Sequence, residues 1–235
     1  MRVAKEFSRF AQAYSQHNII QTEVAQKLLE NLPKKRYKKI IDVGCGRGET
    51  YDHLSKNKID FSHLTALDIA AGMLQLHPRD DRVVLVEGDF SQKELFDHLP
   101  YKDYDLMISA SALQWSSDLD VTLEGLSTLS KEGYFVIFTS GTFRSLHRCA
   151  GIDSPIYSKE YLKEKIDRYF DATYESIEYK LHFESVYAML RYIKESGTSG
   201  GEKQLSYKQT KRLLEQYPLD YLEFEVLFVR TQTKV

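Results

Sequence analysis

A doubly wound α/β fold, with a mostly parallel seven-stranded sheet and an antiparallel last strand, is predicted by three features of the sequence. First, Ile40-Ile41-Asp42-Val43 reads as the end of a buried strand and runs straight into Gly44-Cys45-Gly46-Arg47-Gly48, a tight turn that hands the chain to a helix. Second, apolar runs and helical segments alternate at βαβ spacing as far as residue 141. Third, Tyr221-Leu222-Glu223-Phe224-Glu225-Val226 alternates apolar and polar side chains, as a strand with two unlike faces does.

Taken in order, residues 3–31 carry apolar positions at helical spacing (Phe7, Phe10, Ala11 and Tyr14, then Ile19, Ile20, Val24, Leu28 and Leu29), and Pro33 ends that segment. Strands are expected near 39–43, 63–68, 82–87, 104–109 and 133–140, and helices near 48–56, 71–76, 92–97 and 118–130. Past residue 141 the rhythm breaks. Segments 142–170 and 184–216 read as helical around a Tyr-rich strand near 173–183, and a last strand fits 220–230. The stretch at 196–202 is a Gly/Ser-rich loop. A single domain over 1–235 is expected, in which 142–170 and 184–216 form a helical cap together with 3–31.

The length of 235 residues allows one large core, and 42% hydrophobic with 28% charged residues is the balance of a globular protein. No apolar run approaches the roughly 20 residues of a membrane span. The opening MRVAKEFSRF lacks the apolar centre of a signal peptide, so a cytoplasmic location without a membrane partner is expected. A net charge of −2 gives no bulk attraction to nucleic acid. The main basic cluster, Lys34-Lys35-Arg36 with Lys38-Lys39, reads as a solvated loop ahead of the first strand. The two cysteines, Cys45 and Cys149, make no framework, and the histidines show no ligand spacing, so no metal is expected.

The glycine turn is spaced Gly-x-Gly-x-Gly. A dinucleotide fingerprint would need its third glycine where Glu49 stands. With Asp42 two residues ahead of Gly44, the turn resembles the first motif of Rossmann-like class I methyltransferases that use S-adenosylmethionine (SAM). The resemblance implies that Asp42, Gly44, Cys45 and Gly46 face the methionine part of SAM. In an open α/β sheet, ligands sit beyond the carboxyl ends of the strands. There Asp68, followed by Ile69, suits two ribose hydroxyls, because a carboxylate accepts from both. Asp89 would accept the adenine amino group, Phe90 would flank the ring, and Ser109 ends the fourth strand beside the same site. Alone, Asp68 or Asp89 would as readily be a helix cap. Their order and βα spacing give the SAM reading.

The fourth strand leads into Ser109-Ala110-Ser111-Ala112-Leu113-Gln114-Trp115, without the Pro-Pro-Tyr of enzymes that methylate base amino groups. The Ser-x-x-x-Leu-Gln-Trp pattern resembles the malonyl-[acyl-carrier protein] O-methyltransferases of biotin synthesis. Ala13-Tyr14-x-x-His17 with Gln21, Leu146-His147, Leu190-Arg191-x-x-Lys194-x-x-Gly197 and Pro218-Leu219-x-Tyr221 are similar to further segments of that family. The chain departs from it in a short 150–157 segment, in the missing Arg-Phe pair before Ser158, and in Asp220 where a threonine is usual.

The resemblance implies methylation of the free carboxylate of malonyl-acyl-carrier protein or malonyl-CoA, with S-adenosylhomocysteine as product. It makes the helical cap a substrate cap. Such a carboxylate, with a pKa near 4, is already ionised at neutral pH and needs no general base. On this reading Tyr14 is the catalytic residue, covering the SAM pocket and contacting the methyl donor or the carboxylate through its hydroxyl, and Gln114 and Trp115 shape the substrate mouth. Arg144, Arg148, Arg191 and Lys194 are the cations available to hold the malonyl carboxylate and to dock an acidic carrier. Core packing for Tyr14 and Trp115, and solvated helix faces for the cations, are the plain alternatives. Another small carboxylic acid or a quinone-like metabolite is the alternative acceptor.

Overall fold

The computed structural model describes residues 18–195 and 205–234. From α1 (Ile19–Glu30) the chain passes into β1 (Arg36–Val43), α2 (Glu49–Lys56), β2 (Asp60–Asp68), α3 (Ala71–Leu76) and β3 (Val83–Glu87). There follow α4 (Lys93–His98), β4 (Leu106–Ala110), a 3-10 turn (Leu113–Trp115), α5 (Leu119–Ser127) and β5 (Glu132–Phe138). The second half comprises α6 (Arg144–Ala150), α7 (Lys159–Tyr169), β6 (Phe170–His182), α8 (Val186–Glu195), α9 (Tyr207–Gln216) and β7 (Tyr221–Thr233). The sheet runs β3-β2-β1-β4-β5-β7-β6, parallel throughout except that β7 lies antiparallel to both of its neighbours. This is the class I methyltransferase arrangement predicted from the sequence.

The centre of the sheet follows from its apolar runs. Ile40, Ile41 and Val43 of β1 and Leu106, Met107 and Ile108 of β4 are wholly buried, as strands covered on both faces must be. One face carries α1, α2, α6, α8 and α9, through Val24, Leu54, Leu146, Met189 and Leu213. The other carries α4, α5 and α7, through Phe96, Leu123, Leu162 and Ile166. Among the described residues no helix is long and apolar enough to cross a membrane.

Two expectations need correction. Arg36, Lys38 and Lys39 lie in β1 and not in a loop. Arg36, Tyr37 and Lys39 pair in register with Asp60, Phe61 and His63 of β2, and the Lys38 and Lys39 amides donate to the Asp105 carboxylate at 2.6 and 3.0 Å. Their side chains stay at the surface, where Arg36 pairs with Asp60 and Lys39 with Asp103. Segment 142–170 is also not one cap helix. Gly151, at φ +66°, ends α6 in the left-handed conformation that favours glycine. Ser158 then caps α7 by accepting from the Tyr161 amide, and α7 packs on the opposite face of the sheet. The described helices of 184–216 are α8 and α9. Residues 3–17 of the expected first helix and the Gly/Ser-rich stretch lie outside the described residues.

Phe224 of β7 ties the helices of the first face to the sheet. Its ring is fully buried and meets Phe138 of β5 at 6.2 Å, Phe143 at the start of α6 at 4.9 Å and Tyr192 of α8 at 6.4 Å. Each pair is edge-on, the favoured orientation of aromatic quadrupoles. Phe224→Ala is expected to cost about 3–5 kcal/mol of folding stability, read as a lowered urea midpoint with the slope of the transition unchanged.

Candidate functional site

The strand order reverses between β1 and β4, and in such sheets the crevice beyond the carboxyl ends at that point receives the ligand. A crevice opens there, lined by the turn after β1 and the residues beyond β4. Its floor is the turn after β1. Gly44 sits at φ +76°, and a Cβ on it would fall 2.1 Å from the Cβ of Ala112, so the turn and the chain beyond β4 can touch only through a glycine. The amides of Gly44 and Cys45 both donate to the carbonyl of Leu67, at 2.8 and 2.9 Å, folding the turn over the end of β2. There the Gly46 amide donates to Asp68 Oδ2 at 2.9 Å, while Asp68 Oδ1 accepts from Ala70 at 2.8 Å.

Acidic groups dominate the crevice. Burial raises the Asp68 carboxyl pKa, and the amides of Ala70, Gly46 and Ile69 oppose the rise. Burial likewise raises Glu49, whose carboxylate is held by the Asn18 side-chain amide at the head of α1. Asp42, wholly buried behind the turn, is pushed up to about 7 by desolvation, with Asp68 and Glu49 adding to the rise. The Thr50 hydroxyl opposes it only in part, and neither Asp42 oxygen has a partner in hydrogen-bond geometry among the described residues. The Cys45 thiol, also raised by burial, stays un-ionised.

The far wall comes from the chain after β4. Ser111 holds φ +67°, a strained value for a residue with a side chain, and its amide donates to Val136 at 2.9 Å. Its hydroxyl is buried without a partner among the described residues. Phe90 and Trp115 supply flat apolar surface, and Gln21 of α1 and Met73 of α3 close the sides.

The structure brings Gly44, Cys45, Gly46, Asp68, Ile69, Phe90 and Trp115 together around this crevice, with Asp42 directly beneath. Other expected residues go elsewhere. Ser109 is fully buried and donates to the Val43 carbonyl at 2.7 Å, pinning β4 to β1. Gln114 is buried, and its amide donates to the Ser111 carbonyl at 2.7 Å, so it braces the strained wall from behind. Asp89 does not line the crevice; its Oδ1 accepts from the Ser91 amide at 2.9 Å in a local turn ahead of α4, which starts at Lys93 with Gln92 as its N-cap. Arg144 is engaged by Glu178 at 2.7 Å and Glu223 at 3.8 Å, so its charge is not free for an acceptor. Arg148, Arg191 and Lys194 are exposed on α6 and α8 and do not line the crevice. Tyr14 lies outside the described residues. Arg47, Glu49, Thr50, Met73 and Ser111 line the crevice without having been expected there. The available signal was placement in or directly after the turn for Arg47, Glu49 and Thr50 and one residue past β4 for Ser111; Met73, in α3, carried none.

A family model described as a methyltransferase domain matches residues 41–134, the stretch from β1 into β5. A malonyl-[acyl-carrier protein] O-methyltransferase of Acetivibrio thermocellus is 31% identical, over 84% of this chain and 78% of that protein. The chain belongs to the malonyl-[acyl-carrier protein] O-methyltransferase family. A relative of the same name from Priestia megaterium is 30% identical over 62% of this chain, and the chain spans only 54% of that protein's length. Among solved structures, the YcgJ protein of Bacillus subtilis superposes with a TM-score of 0.66 at 11% identity, covering 91% of this chain and 99% of that one. That likeness is one of fold.

Asp42 makes the fold's stability depend on pH. Its carboxyl keeps its proton in the folded chain up to about pH 7 but loses it near 3.8 when unfolded, so the stability it confers falls as pH rises from about 4 through 7. Asp42→Asn removes that loss. Its stabilising effect is expected to grow by about 1.4 kcal/mol per pH unit across that window and to level off above it. Urea unfolding of both chains at pH 5, 6, 7 and 8 measures this; a difference that does not change with pH would contradict it.

Proposed function

We propose that the chain transfers a methyl group from SAM to the free carboxylate of a malonyl group carried by acyl-carrier protein or coenzyme A, the step that makes a biotin precursor. The supporting observation is the single hydrogen-bonded unit formed by the 44–48 turn and Asp68 at the topological switch point. Its residues fit SAM. Asp68 and Glu49 line the crevice and Asp42 lies beneath it, all three pushed by burial to resist ionisation, with Arg47 the one cation beside them among the described lining residues. A ligand bearing sulfonium and ammonium charges relieves that cost. Asp68, fixed by two backbone amides, receives the ribose hydroxyls. Phe90 flanks the adenine. Cys45, Gly46 and Ile69 enclose the rest.

Held by Asp68 and the 44–48 turn, SAM would supply a methyl carbon made electrophilic by its sulfonium, and its transfer to the carboxylate oxygen would leave S-adenosylhomocysteine. The chain's part is to strip water from an already ionised nucleophile and to aim it. Trp115 gives the acceptor an apolar wall, and Tyr14 covers the donor. Part of 142–170 with α8 and α9 caps the acceptor side. Arg148, Arg191 and Lys194, exposed on α6 and α8, offer docking charge to an acidic carrier. One observation favours the alternative acceptor, another small carboxylic acid or a quinone-like metabolite: none of the four cations expected to hold a malonyl carboxylate lines the crevice.

Methyl-labelled SAM is expected to label malonyl-acyl-carrier protein as a base-labile ester. Label appearing only on free acids or quinones would support the alternative. Asp68→Ala is expected to weaken SAM binding by about tenfold or more, through loss of hydrogen bonds to a charged group. Reversing Arg191 and Lys194 together to Glu is expected to raise KM for the carrier-bound acceptor while leaving the Kd for SAM unchanged.

A further inference from the structure

Arg47 stands in the middle of the glycine turn, next to Gly46, whose amide is bonded to Asp68. Among the described residues lining the crevice it is the one cation, set beside the carboxylates of Glu49 and Asp68. Its Nε and Nη1 are buried, and neither has a hydrogen-bond partner among the described residues. Glu49, two residues on, does not supply one. The Arg47 charge opposes the rise that burial imposes on Glu49, but that carboxylate is held by Asn18.

A buried guanidinium with two unpaired donors costs a fold more than a single hydrogen bond returns, and such groups persist where something pairs with them. The planar fork of arginine matches a carboxylate, which accepts two of its N–H groups at once. We infer that Arg47 binds the α-carboxylate of the methyl donor's amino-acid arm and is the residue by which the crevice tells an amino acid from a plain amine. The inference rests on the methyl-donor reading above. Two carboxylates would enter such a site, the donor's and the acceptor's. The turn that carries Arg47 is bonded to Asp68, on the donor's side of the crevice, and that placement selects the donor's. Arg47 and the acids around it then form a charge pattern complementary to a ligand with one anionic and two cationic centres.

Calorimetric titration of the full chain with three probes tests this: SAM, decarboxylated SAM, which lacks only the carboxylate, and methylthioadenosine, which lacks the whole amino-acid arm. Arg47→Gln is expected to weaken SAM binding by about 10- to 100-fold. It should leave decarboxylated SAM and methylthioadenosine nearly unchanged, and Arg47→Lys should restore part of the loss. Equal weakening of all three probes would mean a structural role and overturn the inference. So would unchanged SAM affinity with a raised KM for the acceptor, since Arg47 would then serve the acceptor's carboxylate. A native chain that binds none of the probes would overturn the methyl-donor reading itself, and the inference with it.

Discussion

The carboxyl-end architecture hangs on one backbone event: two consecutive amides, of Gly44 and Cys45, share the carbonyl of Leu67. That shared acceptor bends the chain after β1 across the tip of β2 instead of letting it run on over β1. Gly46 reaches Asp68, Arg47 is carried into the crevice, and α2 starts where Glu49 and Thr50 face the same space. The bend has room only because Gly44 presents no Cβ to Ala112. A residue just past the neighbouring strand β4 therefore constrains the position of the turn.

The same region concentrates the unfavourable terms of the fold. A buried carboxyl at Asp42, unpaired guanidinium nitrogens at Arg47 and a left-handed serine at Ser111 lie within one crevice. Each works against stability, and they are tolerated because the strands beneath are apolar and fully covered on both faces. The polar strain of this region thus sits at the ends of strands whose middles hold them rigidly, the arrangement that keeps a binding surface preorganised.

The doubly wound sheet was legible because its signals are local. β1 and β4 are unbroken apolar runs, and the turn glycines sit one residue past a strand. The extension of β1 to Arg36 was not legible, since its partners, residues 60–63 of β2 and the Asp105 carboxylate, lie far away in sequence. Nor was the division of 142–170 between two faces, because helical periodicity says that a face is buried and not which neighbour buries it. At the site, Asp68 and Phe90 were readable as residue types that suit a ligand. Ser109 and Gln114 misled because a polar side chain after a strand is as easily consumed by backbone carbonyls, here those of Val43 and Ser111. Arg47 and Glu49 were overlooked because the pattern around them was read for its glycines.

β7 lies inside the sheet, between β5 and β6, although it is made after both. During translation β5 and β6 emerge with the edges that β7 will fill still bare, and Phe135 of β5 must wait for Val229 of β7 as its cross-strand neighbour. The first five strands can pair as they leave the ribosome; the remaining part of the sheet closes only by inserting the latest segment into a gap. Pairings so distant in sequence form slowly and leave strand edges open to other chains. The nascent protein passes through a stage in which a nearly finished ligand crevice stands beside an unfinished, adhesive sheet.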